Sequence, residues 1–240
     1  MKYKAGILDL DGVITQTAEI HARAWKKLFD QYNEERNNRN DSTYDEFSIR
    51  NDYPKYLDGV PRYDGVKTFL EAKGIKLPYG SPEDEPTAET ICGLGNRKNG
   101  YFQLALQEKG VTVFEDTVQK IHEWKDKGMK LAAISSSKSC KPILEEAGLI
   151  ELFDAIVDGL ESEKRNLKGK PAPDIFLEAA RELNVATRDA FIVEDALSGV
   201  EAGQKGDFAL VVGIARKDDA EALKAHGADR VVTSMTDLKF

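Results

Sequence analysis

The sequence predicts an α/β fold, a Rossmann-like parallel sheet core interrupted after its first strand by a mostly helical insert. Three observations predict it. From Lys130 onward short apolar runs alternate with amphipathic ones. The apolar runs are continuous rather than period-two, as in parallel strands covered on both faces. Between the first apolar run and Val113 strand signals vanish and helical spacing takes over. The core is expected over 1–15 and 113–240, and the insert over 16–112.

Element by element, Ala5–Leu8 reads as the first strand. Residues 16–33 read as a helix with Ile20, Ala24, Trp25 and Leu28 on one face, and 34–62 as a polar stretch rich in Asn, Asp, Arg and Tyr. Tyr63–Gly74 and Asn96–Lys109 read as helices, separated by a loop over 75–95 that holds prolines and a solvated acidic run, Glu83-Asp84-Glu85. Strands follow at Lys130–Ile134, Phe153–Val157, Ala190–Val193, Ala209–Val212 and Val231-Val232. Helices alternate with them at Cys140–Ala147, closed by Gly148, at Pro173–Leu183 with proline at the start, at Ser198–Lys205 and at Asp218–His226.

Composition bounds the function. The chain has 240 residues, 41% hydrophobic and 32% charged, with a formal net charge of −8. That acidity argues against a nucleic-acid partner but leaves anionic substrates open where a local cation holds them. No stretch approaches the roughly 18 apolar residues of a membrane span. The first strand begins with no apolar leader before it. Two cysteines, Cys92 and Cys140, make no disulfide framework, so a reducing, cytoplasmic setting is expected. A monomer is expected.

The chemistry gathers at strand carboxyl ends, where open α/β sheets bind ligands. Asp9 and Asp11, two residues apart, share a face of the first strand, and Gly12 permits a sharp exit. Paired acids repel unless a cation or shared proton stabilises them. They suit a hard metal such as Mg²⁺, or a nucleophile with a neighbouring proton carrier. Ser135-Ser136-Ser137-Lys138 follows a strand and precedes a helix. It is an ordinary N-cap taken alone and a phosphate site in context. Lys170 sits in a Lys-Pro-Ala-Pro turn. Glu194-Asp195 closes a fully apolar strand and again asks for a cation.

In that order these motifs resemble those of the haloacid dehalogenase (HAD) phosphotransferases, and the resemblance spans essentially the whole chain. Asp11–Glu19 with His21 and Trp25, and Gly169–Phe176, are similar to the β-phosphoglucomutase-like branch. The resemblance implies that Asp9 is a nucleophile forming an aspartyl-phosphate and Asp11 the general acid/base. Ser135 and Lys170 would hold the transferring phosphate. Mg²⁺ would lie among Asp9, the Asp11 backbone carbonyl, Glu194 and Asp195. Thr17, His21, Ser136, Ser137 and Lys138 would bind substrate, with His21 near Asp11. Gly59–Arg62 and Arg97–Asn99 resemble cap segments that carry a phosphate-binding arginine, Arg62, and a sugar-reaching lysine, Lys98.

Gln16 departs from that branch, which often has Asp there, and 34–56 and 75–89 exceed a minimal cap. The implied function is a Mg²⁺-dependent phosphatase acting on a sugar phosphate or similar small phosphorylated metabolite. A β-phosphoglucomutase is the alternative, and a non-catalytic phosphometabolite-binding module a second one. Gly93-Leu94-Gly95 lacks a preceding strand and a third glycine, which disfavours a dinucleotide site. No GxSxG surrounds Ser135, which disfavours a serine hydrolase.

Overall fold

A computed structural model of the chain describes residues 2–240. Six parallel strands, β1 (Ala5–Asp9), β2 (Lys130–Ile134), β3 (Ala155–Val157), β4 (Ala190–Glu194), β5 (Leu210–Ile214) and β6 (Arg230–Val232), form one sheet in the order β3-β2-β1-β4-β5-β6. β1 and β4 are buried along their whole length, their apolar runs each closed by a buried acid, Asp9 and Glu194. The strand order reverses beside β1, which makes the β1/β4 boundary a topological switch point. Register there sets Leu8 opposite Val193, so the two chains run off the sheet together at Asp9 and Glu194.

Ten helices accompany the sheet among the described residues. They are α1 (Thr17–Asn38), α2 (Asp52–Tyr56), α3 (Arg62–Ala72), α4 (Ile91–Lys109), α5 (Glu115–Asp126), α6 (Cys140–Glu146), α7 (Gly159–Lys164), α8 (Asp174–Glu182), α9 (Leu197–Lys205) and α10 (Ala220–Ala225). The chain divides into two compact units, 1–17 with 111–240, and 18–110. In the first, α8 lays Ile175, Phe176, Ala179 and Ala180 into a core with Ile7, Ile134 and Ile192. The outgoing and returning chains are pinned to one another there. The Gln16 amide donates to Thr112 O at 2.9 Å, and the Phe114 amide donates to Ile14 O at 2.9 Å. The second unit has its own aromatic core of Trp25, Phe29, Tyr32, Phe47 and Phe69, with the Phe29 and Phe69 ring centroids 4.0 Å apart.

Several expectations need correction. α1 runs to Asn38, five residues beyond the helix expected over 16–33 and into the polar stretch. Its polar residues tether the returning chain. Asn33 exchanges two hydrogen bonds with the Tyr44 backbone (2.6 and 3.0 Å), and Arg36 Nε donates to Ser42 O at 2.7 Å. α4 starts at Ile91, five residues earlier than its spacing predicts, because Thr90 caps it by accepting from the Gly93 amide at 2.9 Å. The acidic run is not wholly solvated, since Asp84 accepts from Thr90 Oγ1 at 2.5 Å. The third strand shortens to Ala155–Val157 and the last helix to Ala220–Ala225. α2, α5 and α7 were not expected at all.

Candidate active site

Asp9 ends β1, nearly buried at 5% exposure, and its Oδ2 accepts from the Asp11 amide at 2.9 Å. Lys170, itself buried, reaches across from the turn before α8 and donates to Asp9 Oδ1 at 2.6 Å and to Glu194 Oε1. The remaining Glu194 oxygen accepts from the Ala196 amide at 2.8 Å. Carboxylate oxygens of Asp9, Glu194 and Asp195 all lie within 4.8 Å of one another. Two glycines make that crowding possible. A Cβ at Gly12, whose φ is +91°, would overlap the Asp195 carboxylate, and a Cβ at Gly199 would overlap that of Glu194.

Three buried acids crowd together, and Lys170 pairs with two of them, Asp9 and Glu194. Burial raises the Asp9 pKa well above the usual carboxylate value; Lys170 pulls it down, while Glu194 and Asp11 push it up again. Burial alone would lower Lys170, but Asp9 and Glu194 outweigh it and hold the ammonium firmly protonated. A hard divalent cation among oxygen donors relieves the repulsion that Glu194 and Asp11 exert on Asp9. The three acids therefore fit such an ion by donor chemistry, by spacing and by electrostatics.

Asp11 is treated differently from Asp9. Its carboxylate is outside the three-acid set; it accepts from Thr17 Oγ1 and, at 2.9 Å, from Ser135 Oγ. Thr15 Oγ1 stands 2.6 Å from Thr17 Oγ1, a neighbour the sequence did not single out. Ser135 is buried at the end of β2, and its Oγ also accepts from the Ser137 amide at 3.0 Å. Asp9, Asp11, Ser135, Lys170, Glu194, Asp195 and Thr17 thus converge at the switch point of one unit. Ser136 and Ser137 line the same turn, which the Gly159 amide closes by donating to Ser137 O at 3.0 Å. Lys138 points elsewhere: its ammonium pairs with Glu163 at 2.7 Å.

The remaining expected residues belong to the helical unit. Lys98 is 4% exposed, with Nζ 2.6 Å from His21 Nδ1. Its ammonium lies 4.8 Å from the Trp25 ring centroid and 5.2 Å from that of Phe102. His21 stacks on Phe102 at 3.9 Å. Arg62 opens α3, with its guanidinium over the Tyr63 ring. Arg97, beside Lys98, is consumed locally by Pro86 O at 2.8 Å and the Glu35 carboxylate. Gly199, against the Glu194 carboxylate, and Tyr63 and Asn96, in hydrogen-bond contact with Arg62 and with one another, were not singled out by the sequence. None carries a motif signal of its own.

A family profile described as haloacid dehalogenase-like hydrolase matches residues 3–207. A β-phosphoglucomutase of Mycobacterium bovis is 43% identical over 240 residues, covering 99% of this chain and 92% of that protein. A β-phosphoglucomutase of Bacillus subtilis is 33% identical, covering 98% of this chain and 91% of its own length. The crystal structure of a Clostridium difficile β-phosphoglucomutase superposes with a TM-score of 0.78 at 28% identity, covering 99% of this chain and 94% of that one.

Proposed function

This chain belongs to the haloacid dehalogenase-like hydrolases, and from that premise we propose that it acts as a β-phosphoglucomutase, interconverting β-glucose 1-phosphate and glucose 6-phosphate with Mg²⁺. Two relatives with that activity in their names, at 43% and 33% identity over nearly the whole chain, favour this over the phosphatase that the sequence put first. The observation that carries the reading is the division of labour between the two aspartates. Asp9 sits in the acid–lysine cluster, and Asp11 is turned to two hydroxyls outside it.

Asp9 is the nucleophile. Its oxygen attacks phosphorus, the bond from phosphorus to the sugar oxygen breaks, and an aspartyl-phosphate results. Asp11 protonates the departing sugar oxygen and later removes a proton from the accepting hydroxyl. Thr17 and Ser135 orient its carboxyl group for both tasks. Ser135 and Lys170 hold the equatorial oxygens of the moving phosphoryl group, where charge must be stabilised. Bound among Asp9, Glu194, Asp195 and the Asp11 carbonyl, Mg²⁺ would supply Lewis-acid neutralisation of that charge. Ser136 and Ser137 complete the phosphate turn.

With one nucleophile, moving a phosphoryl group between two hydroxyls requires a sugar that carries phosphate at both positions in passing. The enzyme must then hold whichever phosphate is not reacting. Arg62 takes that part, since a guanidinium matches phosphate in a bidentate fashion. Lys98 and His21 take sugar hydroxyls. Every residue this uses comes from one chain, so a monomer suffices. The two thiols, free and buried, accord with a reducing cytoplasm, and no described helix is long and apolar enough to cross a membrane.

The test is a coupled assay of β-glucose 1-phosphate with Mg²⁺ and a trace of glucose 1,6-bisphosphate. Glucose 6-phosphate should accumulate and depend on the bisphosphate. Release of inorganic phosphate alone would make the chain a phosphatase.

A further inference from the structure

Arg62 is tied into a directional chain of hydrogen bonds that ends on the long loop before α4. Asn96 donates both amide hydrogens to that loop, to Pro82 O at 3.0 Å and to Asp84 O at 2.8 Å. Its Oδ1 is thereby left as an acceptor and takes the Tyr63 hydroxyl proton at 2.9 Å. With that proton committed, the Tyr63 oxygen accepts from Arg62 Nη2 at 3.2 Å. The opposite amide orientation would set the Asn96 oxygen against two carbonyls, so the polarity runs one way only.

The packing agrees. The guanidinium carbon lies 4.9 Å from the Tyr63 ring centroid, within cation–π range. Gly95 leaves room for the ring, since a Cβ there would approach Tyr63 Cδ1 to 2.7 Å. The loop is itself braced. Pro78 O and Tyr79 O accept from the Ile91 and Cys92 amides at 3.0 Å, and Asp84 holds the capping Thr90.

We propose that Tyr63 and Asn96 are positioning residues that aim Arg62. Through them the loop over 80–90 sets a preference for substrates carrying a second phosphate away from the reacting one. The proposal rests on the reading of Arg62 as the holder of that phosphate. A long cationic side chain ordinarily loses rotamer freedom when it meets an anion. One already stacked and hydrogen-bonded loses less, so binding is tighter with no new contact to the ligand.

Tyr63→Phe keeps the ring and deletes only the hydroxyl. Asn96→Ala deletes the link to the loop. KM and kcat would be measured with glucose 1,6-bisphosphate and with p-nitrophenyl phosphate, which has no second phosphate, for both variants, Arg62→Ala and Arg62→Ala/Tyr63→Phe. For Tyr63→Phe the expected result is a rise of about tenfold in KM for the bisphosphate with a smaller change in kcat. The ratio of the two specificity constants should fall by the same factor. Tyr63→Phe should add nothing once Arg62 is gone, because the pair acts as a unit. Equal losses on both substrates, or a full Tyr63→Phe effect added to Arg62→Ala, would overturn the proposal and leave the hydroxyl a purely structural role. If Arg62→Ala itself left the ratio unchanged, the reading of Arg62 would fall and the positioning role with it. A loss for Arg62→Ala with none for Tyr63→Phe or Asn96→Ala would overturn the positioning role alone. Should Asn96→Ala fail to fold, Tyr63→Phe decides the matter.

Discussion

A methyl group added at Gly199 would land on the Glu194 carboxylate, the same group that Lys170 and the Ala196 amide grip from two other sides. Gly199→Ala should push Glu194 toward Lys170 and spoil the acid set. Alanine gains about 1 kcal/mol of helix propensity over glycine, which works against a fall in stability, so the damage should show chiefly in the metal. We expect Mg²⁺ affinity by calorimetry to weaken about tenfold or more, with Tm altered little; unchanged affinity would mean Glu194 has room the structure does not show. Under the proposed mechanism, Asp9→Asn removes the anionic nucleophile while keeping its shape. No phosphoenzyme should then be detectable by mass spectrometry after incubation with glucose 1,6-bisphosphate, and near wild-type turnover would end the assignment. The acids, Ser135 and Lys170 were all legible, because chemistry-bearing side chains at strand ends stand out against apolar runs. Gly199 was not, because its contribution is the absence of a side chain, and only three-dimensional crowding shows why that matters.

Helix α5 was not read from the sequence, for it is crowded with charge. Its buried stripe is only Thr117, Lys120, Ile121 and Trp124, and one of those is a lysine. What fixes it is a clasp at its first turn. Asp116 takes two hydrogen bonds from Arg216 (both 2.9 Å), one from Ser234 Oγ at 3.0 Å and one from the Met235 amide at 2.8 Å. Thr117 Oγ1 donates to Val13 O at 2.7 Å. No local propensity encodes these long-range partners, and no element was assigned to this segment from the sequence. Burial raises the Asp116 pKa, but Arg216, the Met235 amide and Ser234 more than reverse this, and the net shift is downward. A depressed carboxylate contributes stability that is fully present above its unfolded pKa of roughly 3.9 and is lost as pH falls through the lower folded value. Asp116→Asn should therefore cost about 1–3 kcal/mol at pH 7. That cost should shrink as the pH is lowered below about 4, where the wild type loses the same contribution. Urea unfolding of both proteins across that range checks it; a gap that stays constant with pH would show that the clasp works by shape and not by charge. The short helices α2 and α7 were missed as well; the other elements were readable in type, with errors at boundaries. α1 outran its apolar stripe because Asn33 and Arg36 hold the returning chain rather than facing water.

For the molecule as a whole, a parallel sheet was implied by the alternation of elements, but its strand order was not; the observed order places the switch point beside β1, where open sheets bind ligands. The identity of the phosphoryl acceptor was not legible. Water and a sugar hydroxyl call for the same nucleophile and the same proton carrier, and the choice between them depends on how fully water is kept from the aspartyl-phosphate. No motif encodes that exclusion, which is why the sequence put the hydrolase first and whole-chain likeness to β-phosphoglucomutases reverses the order. The most direct test of the mutase reading is phosphorus-31 NMR of β-glucose 1-phosphate turned over in ¹⁸O-enriched water, with Mg²⁺ and a trace of glucose 1,6-bisphosphate. Transfer through Asp9 to a sugar hydroxyl predicts glucose 6-phosphate as the main product, its phosphoryl group free of solvent oxygen. Inorganic phosphate as the main product, carrying one solvent oxygen from hydrolysis of the aspartyl-phosphate, would contradict it.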